Sequence, residues 1–149
     1  ETNALLAGEM SGHICFADSY YGFDDAIYAA CRILQIVASS KVKVSEMLLD
    51  VPKTAATPEI RVDCPDDRKF EIVRELTESF SKKYDVIDID GARVNFDKGW
   101  ALIRASNTQP VIVFRFEANN TERLDEIISL VRKAMSKYEP IVTLGQELC

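Results

Sequence analysis

Val86-Ile87-Asp88-Ile89-Asp90-Gly91-Ala92-Arg93-Val94-Asn95-Phe96 holds two apolar runs on either side of Asp90-Gly91. Residues 92–96 alternate apolar and polar, the period of a strand with one buried face. Asp-Gly between two such runs is a two-residue hairpin signal and predicts a type I′ turn. Asp88 and Asp90 also bear a superficial likeness to an acidic metal loop, but the hairpin position favours turn chemistry. Working outward, residues 100–103 and 111–116 read as longer, more apolar strands. Upstream, Glu59-Ile60-Arg61-Val62-Asp63 alternates as another strand. Pro65 with acids at 66 and 67 then marks a helix start. That helix is expected to turn Phe70, Val73, Leu76 and Phe80 to the core. Downstream, Asn119 and Glu122 have capping-box spacing, and the following helix carries Leu124, Ile127, Ile128, Val131 and Met135 on one face. The order strand, helix, four strands, helix predicts an α+β domain: an antiparallel sheet with two helices on one face.

The first third of the chain reads differently. Residues 4–7 suggest a strand, and Asp24 suggests the N-cap of a helix over residues 25–39. Ile27, Tyr28, Cys31, Leu34, Val37 and Ala38 form one apolar stripe on it, and Ile33 and Ile36 add a second edge. A helix apolar over more than half its girth wants burial on two sides. A lone strand and such a helix lack partners within this sequence, which starts at Glu1 without a methionine. The expectation is a piece of a longer polypeptide, the strand–helix end of an α/β domain. Ser45 is expected to cap a short helix over residues 46–50. Residues 51–58 carry two prolines and no periodicity, the best boundary in the chain. The expected division is 1–52, a hinge at 53–58, and a domain over 59–149.

Composition narrows the function. The chain has 149 residues, 47% hydrophobic and 28% charged, enough for one full core. A net charge of −6 argues against a nucleic-acid surface or an anionic-membrane binder. Cysteines at 15, 31, 64 and 149 include no close pair, which fits neither a zinc site nor a disulfide framework. Buried reduced thiols in the cytoplasm are the simplest account. No apolar run approaches the ~20 residues of a membrane span, and no signal peptide is recognisable.

Two loops carry chemistry. Arg104-Ala105-Ser106-Asn107-Thr108-Gln109-Pro110 sets a guanidinium, two hydroxyls and a carboxamide between two strands. A forked cation beside hydroxyl and backbone N–H donors suits a phosphate dianion. The plainer reading is a polar turn whose Ser and Asn satisfy their own backbone. Burial of Arg104 in an ion pair with Glu117 or Asp97 would favour a purely structural domain. The other loop, Gly8-Glu9-Met10-Ser11-Gly12-His13, places a carboxylate, a hydroxyl and the single imidazole between glycines. A carboxylate accepts from two adjacent sugar hydroxyls at once, and a serine can donate or accept beside it. A solvated Glu with a locally satisfied His is the plainer reading. A serine nucleophile is disfavoured, because no carboxylate in the loop is placed to orient His13.

Together, Gly-Glu-Met-Ser-Gly-His and Arg-Ala-Ser-Asn-Thr-Gln-Pro resemble the α-D-phosphohexomutase family, in its phosphomannomutase/phosphoglucomutase branch. Met10 and Asn107-Thr108 set this branch apart from phosphoglucosamine mutases. The resemblance covers nearly the whole chain and implies the end of a third domain plus a fourth. It implies a fold similar to the TATA-binding protein for the last domain, with no bearing on DNA.

By that resemblance Glu9, Ser11 and His13 lie in a sugar-binding loop, and Arg104, Ser106, Asn107 and Thr108 bind the phosphate that is not being transferred. It implies interconversion of hexose 1-phosphate and hexose 6-phosphate (of mannose or glucose) through hexose 1,6-bisphosphate. A phosphoserine and Mg²⁺ belong to earlier domains, so no catalytic or metal residue is expected here and the fragment alone is expected to be inactive. Its partners would be hexose phosphates and the other domains of the same chain, not nucleic acid or membrane. A non-catalytic phosphosugar-binding module is the alternative.

Overall fold

A computed structural model describes residues 3–9 and 11–138, so Met10 and Cys149 lie outside the described residues. The chain divides into two compact units, Glu1–Val51 and Pro52–Cys149.

In the first unit, β1 (Leu6–Gly8) is not a lone strand. It pairs antiparallel with β2 (Ile14–Phe16), a strand too short to stand out in the sequence. Helix α1 (Ala26–Ser39) is capped by Asp25, which accepts from the Ile27 and Tyr28 N–H groups. Asp24, the expected cap, instead bridges Cys15 and turns its carboxylate to His13. Tyr20 stacks on Tyr28 at 3.8 Å and donates to the Asp25 carboxylate, tying the loop to the helix start. Only Ala29 of α1 is buried, while Ile27 is 80% exposed and Leu34 65%. Cys31 is exposed with them, against the expectation of buried thiols, because it sits on the uncovered stripe. Val44–Glu46 forms a 3-10 turn in place of the expected helix over 46–50, and Ser45 lies inside it rather than capping it.

The second unit begins with β3 (Ala55–Ala56), within the segment read as non-periodic. Thr57 extends its grip: its N–H donates to the Phe116 carbonyl, and its Oγ1 accepts from the Phe116 N–H. Then come β4 (Ile60–Asp63), α2 (Asp66–Ser81), β5 (Asp85–Ile87), β6 (Ala92–Phe96), β7 (Gly99–Ala105), β8 (Val111–Ala118) and α3 (Thr121–Met135). The strands form one antiparallel sheet in the order β3-β8-β7-β6-β5, with β4 sharing the outer edge of β8. Strand alternation decides its faces. Val94, Ile103, Phe114 and Phe116 point to the covered face, and α2 and α3 pack there. Gly99 lets α3 close in, since a Cβ at that position would lie 2.5 Å from Ile127 Cδ1.

Helix α2 buries Lys69, Ile72, Val73, Leu76 and Phe80, whereas Phe70 is 55% exposed. Of the residues expected inward, Val73, Leu76 and Phe80 are buried, and only Phe70 is displaced, with Lys69 and Ile72 on the covered face instead. Phe70 sits about 100° from Lys69 around the helix and packs beneath the Lys69 ammonium at 5.2 Å. Helix α3 is capped by Asn120, not Asn119; its Oδ1 accepts from the Arg123 N–H. The hairpin also differs from the expected type I′ turn. The last β5–β6 pair is Ile87 with Arg93 and β6 begins at Ala92, so residues 88–91 form a longer loop, and only Gly91 in it has positive φ.

Among the described residues of the second unit, both helices pack on the covered face and none on the other. Arg93, Trp100, Leu102, Arg104 and Arg115 alternate onto it, all half-buried, with the Arg93 guanidinium 4.9 Å from the Trp100 ring.

Candidate functional site

Arg104 lies one residue before the end of β7, so the strand itself delivers its side chain to the open face where the polar loop begins. The loop is closed by hydrogen bonds at three points. The Ser106 N–H donates to the Val111 carbonyl, and Ser106 Oγ accepts from the Thr108 and Gln109 N–H groups at 3.3 and 3.1 Å. These are the local Ser-to-backbone bonds of the plainer reading. They preform the turn and occupy two N–H groups expected to be free, leaving the Asn107 N–H without a protein acceptor among the described residues.

Helix α2 and β4 brace the turn from behind. The buried Lys69 ammonium donates to the Gln109 carbonyl at 2.9 Å and is ion-paired with Asp66. Arg61 donates to Gln109 Oε1 at 3.0 Å, and the Cys64 N–H to the Pro110 carbonyl at 2.8 Å. Sequence reasoning missed Lys69. Its only signal was a lysine three residues after Asp66, interrupting an otherwise apolar stripe.

Arg104 pairs with neither Glu117 nor Asp97. Its contact is Asp90 of the β5–β6 loop, at 3.3 Å, with both side chains substantially exposed. An exposed, long ion pair contributes little and is readily exchanged for a better anion. The Arg104 Nε is buried with no hydrogen-bond partner. Asp90 is thus occupied by a cation of the chain, and no cluster of three or more metal-ligating side chains occurs among the described residues. The described residues around Asp90 do not fit a magnesium site.

In the first unit, Ser11 Oγ donates to Glu9 Oε2 at 3.0 Å, and the Glu9 N–H donates to the His13 carbonyl. His13 Nδ1 lies 2.5 Å from Asp24 Oδ2. The carboxylate judged missing for His13 therefore comes from eleven residues downstream, a distance that no local pattern reveals. No triad results, because the Ser11 hydroxyl is bonded to Glu9 and not to His13. Glu9, His13 and Asp24, with Ala7, Gly8 and Cys15, line an open cleft of ≈ 330 Å³.

The Asp24 hydrogen bond, with the charges of Asp24 and Glu9 behind it, raises the His13 pKa above the ordinary 6.5. A raised folded-state pKa stabilises the unit below the ordinary value, and that contribution is lost as pH rises through the folded pKa. The expected result is an NMR titration midpoint for the His13 ring above 6.5, moving down toward it in Asp24→Asn. An unchanged midpoint would remove Asp24 as the partner.

Residues 59–134 match the family described as "Phosphoglucomutase/phosphomannomutase, C-terminal domain", and residues 1–55 match "Phosphoglucomutase/phosphomannomutase, alpha/beta/alpha domain III". A "Phosphomannomutase/phosphoglucomutase" of Pseudomonas putida is 41% identical over 145 residues, covering 97% of this chain and 31% of that protein. A "Phosphoglucomutase" of Neisseria gonorrhoeae is 41% identical over 130 residues, covering 85% of this chain and 28% of that protein. The crystal structure of a phosphoglucomutase/phosphomannomutase family protein from Burkholderia thailandensis superposes with a TM-score of 0.77 at 38% identity. It covers 93% of this chain and 29% of that one. The chain thus spans about a third of the length of the relatives it matches.

Proposed function

This chain belongs to the phosphoglucomutase/phosphomannomutase family, and from that premise we propose that it is the substrate-recognising C-terminal part of a phosphomannomutase/phosphoglucomutase. The whole enzyme interconverts hexose 1-phosphate and hexose 6-phosphate through a bisphosphorylated sugar. Magnesium and the phosphoryl-transferring serine act from parts of the protein outside these residues, and the reaction runs in the cytoplasm. Arg104, Ser106, Asn107 and Thr108 bind the phosphate that is not transferred, and Glu9, Ser11 and His13 bind the sugar.

The observation that carries this reading is the state of Arg104. Its guanidinium stands at the mouth of a braced, preformed turn, with only an exposed 3.3 Å contact to Asp90. A phosphate dianion there gains charge-assisted bonds from Arg104 and from the Asn107 N–H. Binding energy at this remote group positions the reacting end of the sugar. Because either end of the hexose phosphate must take its turn here, donors that read only the phosphate suit the task. In the first unit the Glu9 carboxylate, already held by Ser11, has acceptor capacity left for sugar hydroxyls. On this reading the hinge of 53–58 narrows to residues 53–54, since Ala55 to Thr57 are bonded to β8.

The test is an amide NMR titration with glucose 1-phosphate. Shifts centred on Ser106, Asn107 and Thr108, weakened at least tenfold in Arg104→Ala, are the expected outcome. Shifts that persist unchanged in the variant would overturn the assignment of Arg104.

A further inference from the structure

Arg104 meets a carboxylate that comes from outside its own loop. The contact runs from Arg104 Nη1 to Asp90 Oδ2 at 3.3 Å, while Arg104 Nε is buried without an acceptor. A charge-assisted bond of this type closes to about 2.7–2.9 Å, and a well-seated guanidinium takes two oxygens at once. Arg61, Arg123 and Arg32 approach that geometry, with carboxylates at 2.7, 2.6 and 3.0 Å. Arg104 has a carboxylate within reach and does not close on it.

The backbone that carries Asp90 is fixed close by. Gly91, the next residue, lies against β7, where an added Cβ would stand 2.9 Å from Arg104 Cα. Ala92 then pairs with Ile103 as β6 begins. Asp90 is thus held beside Arg104 by its chain neighbours, and its carboxylate makes or leaves the contact by side-chain rotation alone. With the Asp90 side chain 62% exposed, water solvates the carboxylate in the open position, so the exchange is an easy one. Other acids do not stand in for it. Glu59 is paired with Arg61, Glu117 faces Trp100, four residues before Arg104 on β7, and Asp97 lies beyond the far end of that strand.

We propose that Asp90 is the exchange partner of the phosphate at Arg104: an incoming phosphate displaces its carboxylate, and Asp90 retakes the guanidinium as the phosphate leaves. This rests on the reading of the Arg104 loop given above. On that reading the two ends of the hexose phosphate are bound here in turn, so the loop has to release a phosphate as readily as it takes one. A half-buried guanidinium stripped of its anion is unfavourable, which would slow that release. A carboxylate waiting on the neighbouring loop supplies the replacement anion and speeds departure. The same carboxylate repels a phosphate bound to the shared cation, so it also weakens affinity.

The test is an amide NMR titration of the 149-residue chain with glucose 1-phosphate, on the wild type, Asp90→Asn and Asp88→Asn. In the wild type the ligand is expected to shift the amides of Asp90 and Gly91 together with that of Asn107, because the β5–β6 loop loses its partner as the phosphate arrives. Asp90→Asn should bind about two- to fivefold more tightly, the size that an exposed ion pair commands. Line shapes should show its release slowed by a similar factor, and the Gly91 response should shrink. Asp88→Asn removes the same charge from the same loop without touching Arg104, and should bind like the wild type. A packing defect would weaken binding, so the direction of the change separates the two causes. Equal or weaker binding in Asp90→Asn, or an equal gain in Asp88→Asn, would overturn the role of Asp90 while leaving Arg104 in place. Tighter binding with unchanged release would overturn the part played in departure. A wild-type chain that does not respond at Asn107 would overturn the reading of the Arg104 loop itself.

Discussion

Gly91→Ala is expected to destabilise the second unit by about 3 kcal/mol or more, the sum of a left-handed backbone penalty and overpacking. Gly91 holds φ at +84°, and an added Cβ would stand 2.3 Å from the Ile103 carbonyl oxygen and 2.9 Å from Arg104 Cα. Neither neighbour is a flexible side-chain tip; both are backbone of β7. Relief therefore has to come from shifting the β5–β6 loop or the strand that delivers Arg104, so the variant should lose phosphate binding along with stability. A urea titration checks the first effect as a lower midpoint with an unchanged slope. Gly12→Ala is the control: its φ is +94° but nothing lies within 4 Å of the new Cβ. It should show only the backbone penalty, about 1–2 kcal/mol. Equal small losses in both variants would mean that the β5–β6 loop re-forms freely.

Phe114→Ala is expected to cost about 3–5 kcal/mol, the range for truncating a large aromatic side chain in a closed core. Phe114 is fully buried in β8, between Ile103 of β7 and Ile60 of β4, and stacks on Phe116 at 6.3 Å. Strands lie on both sides of it and helices above, so the cavity cannot close without breaking the sheet. The same denaturant measurement applies. Ile89→Ala, at a side chain 91% exposed, should stay within about 0.5 kcal/mol of the wild type. A Phe114 loss near that of Ile89 would contradict the packing described.

The elements most legible in the sequence were those with a strong internal period. Residues 92–96 and the stripe of α3 were readable because burial on one face leaves its mark at every second residue of a strand or every third and fourth of a helix. Boundaries and caps were less so. Asp24 and Asp25 are chemically equal candidates for the cap, and only the β2 bridge, which holds Asp24 in extended pairing with Cys15, decides between them. The same holds for Asp90-Gly91: the dipeptide favours a two-residue turn, but β5 ends at Ile87 and β6 begins at Ala92, so four residues connect them. β2 and β3, at 3 and 2 residues, are too short to carry a period at all.

The two polar loops were visible as clusters of chemistry, and their likeness to one family was carried by local residue order alone. What completes each loop came from elsewhere in the chain. Asp24 reaches His13, and Lys69 braces Gln109 across forty positions. Periodicity and contiguous motifs sufficed for the α+β order of elements and for the family. Which charges are neutralised and which stand without a partner emerged with the folded chain, because pairing between side chains depends on distances in space that chain separation does not encode.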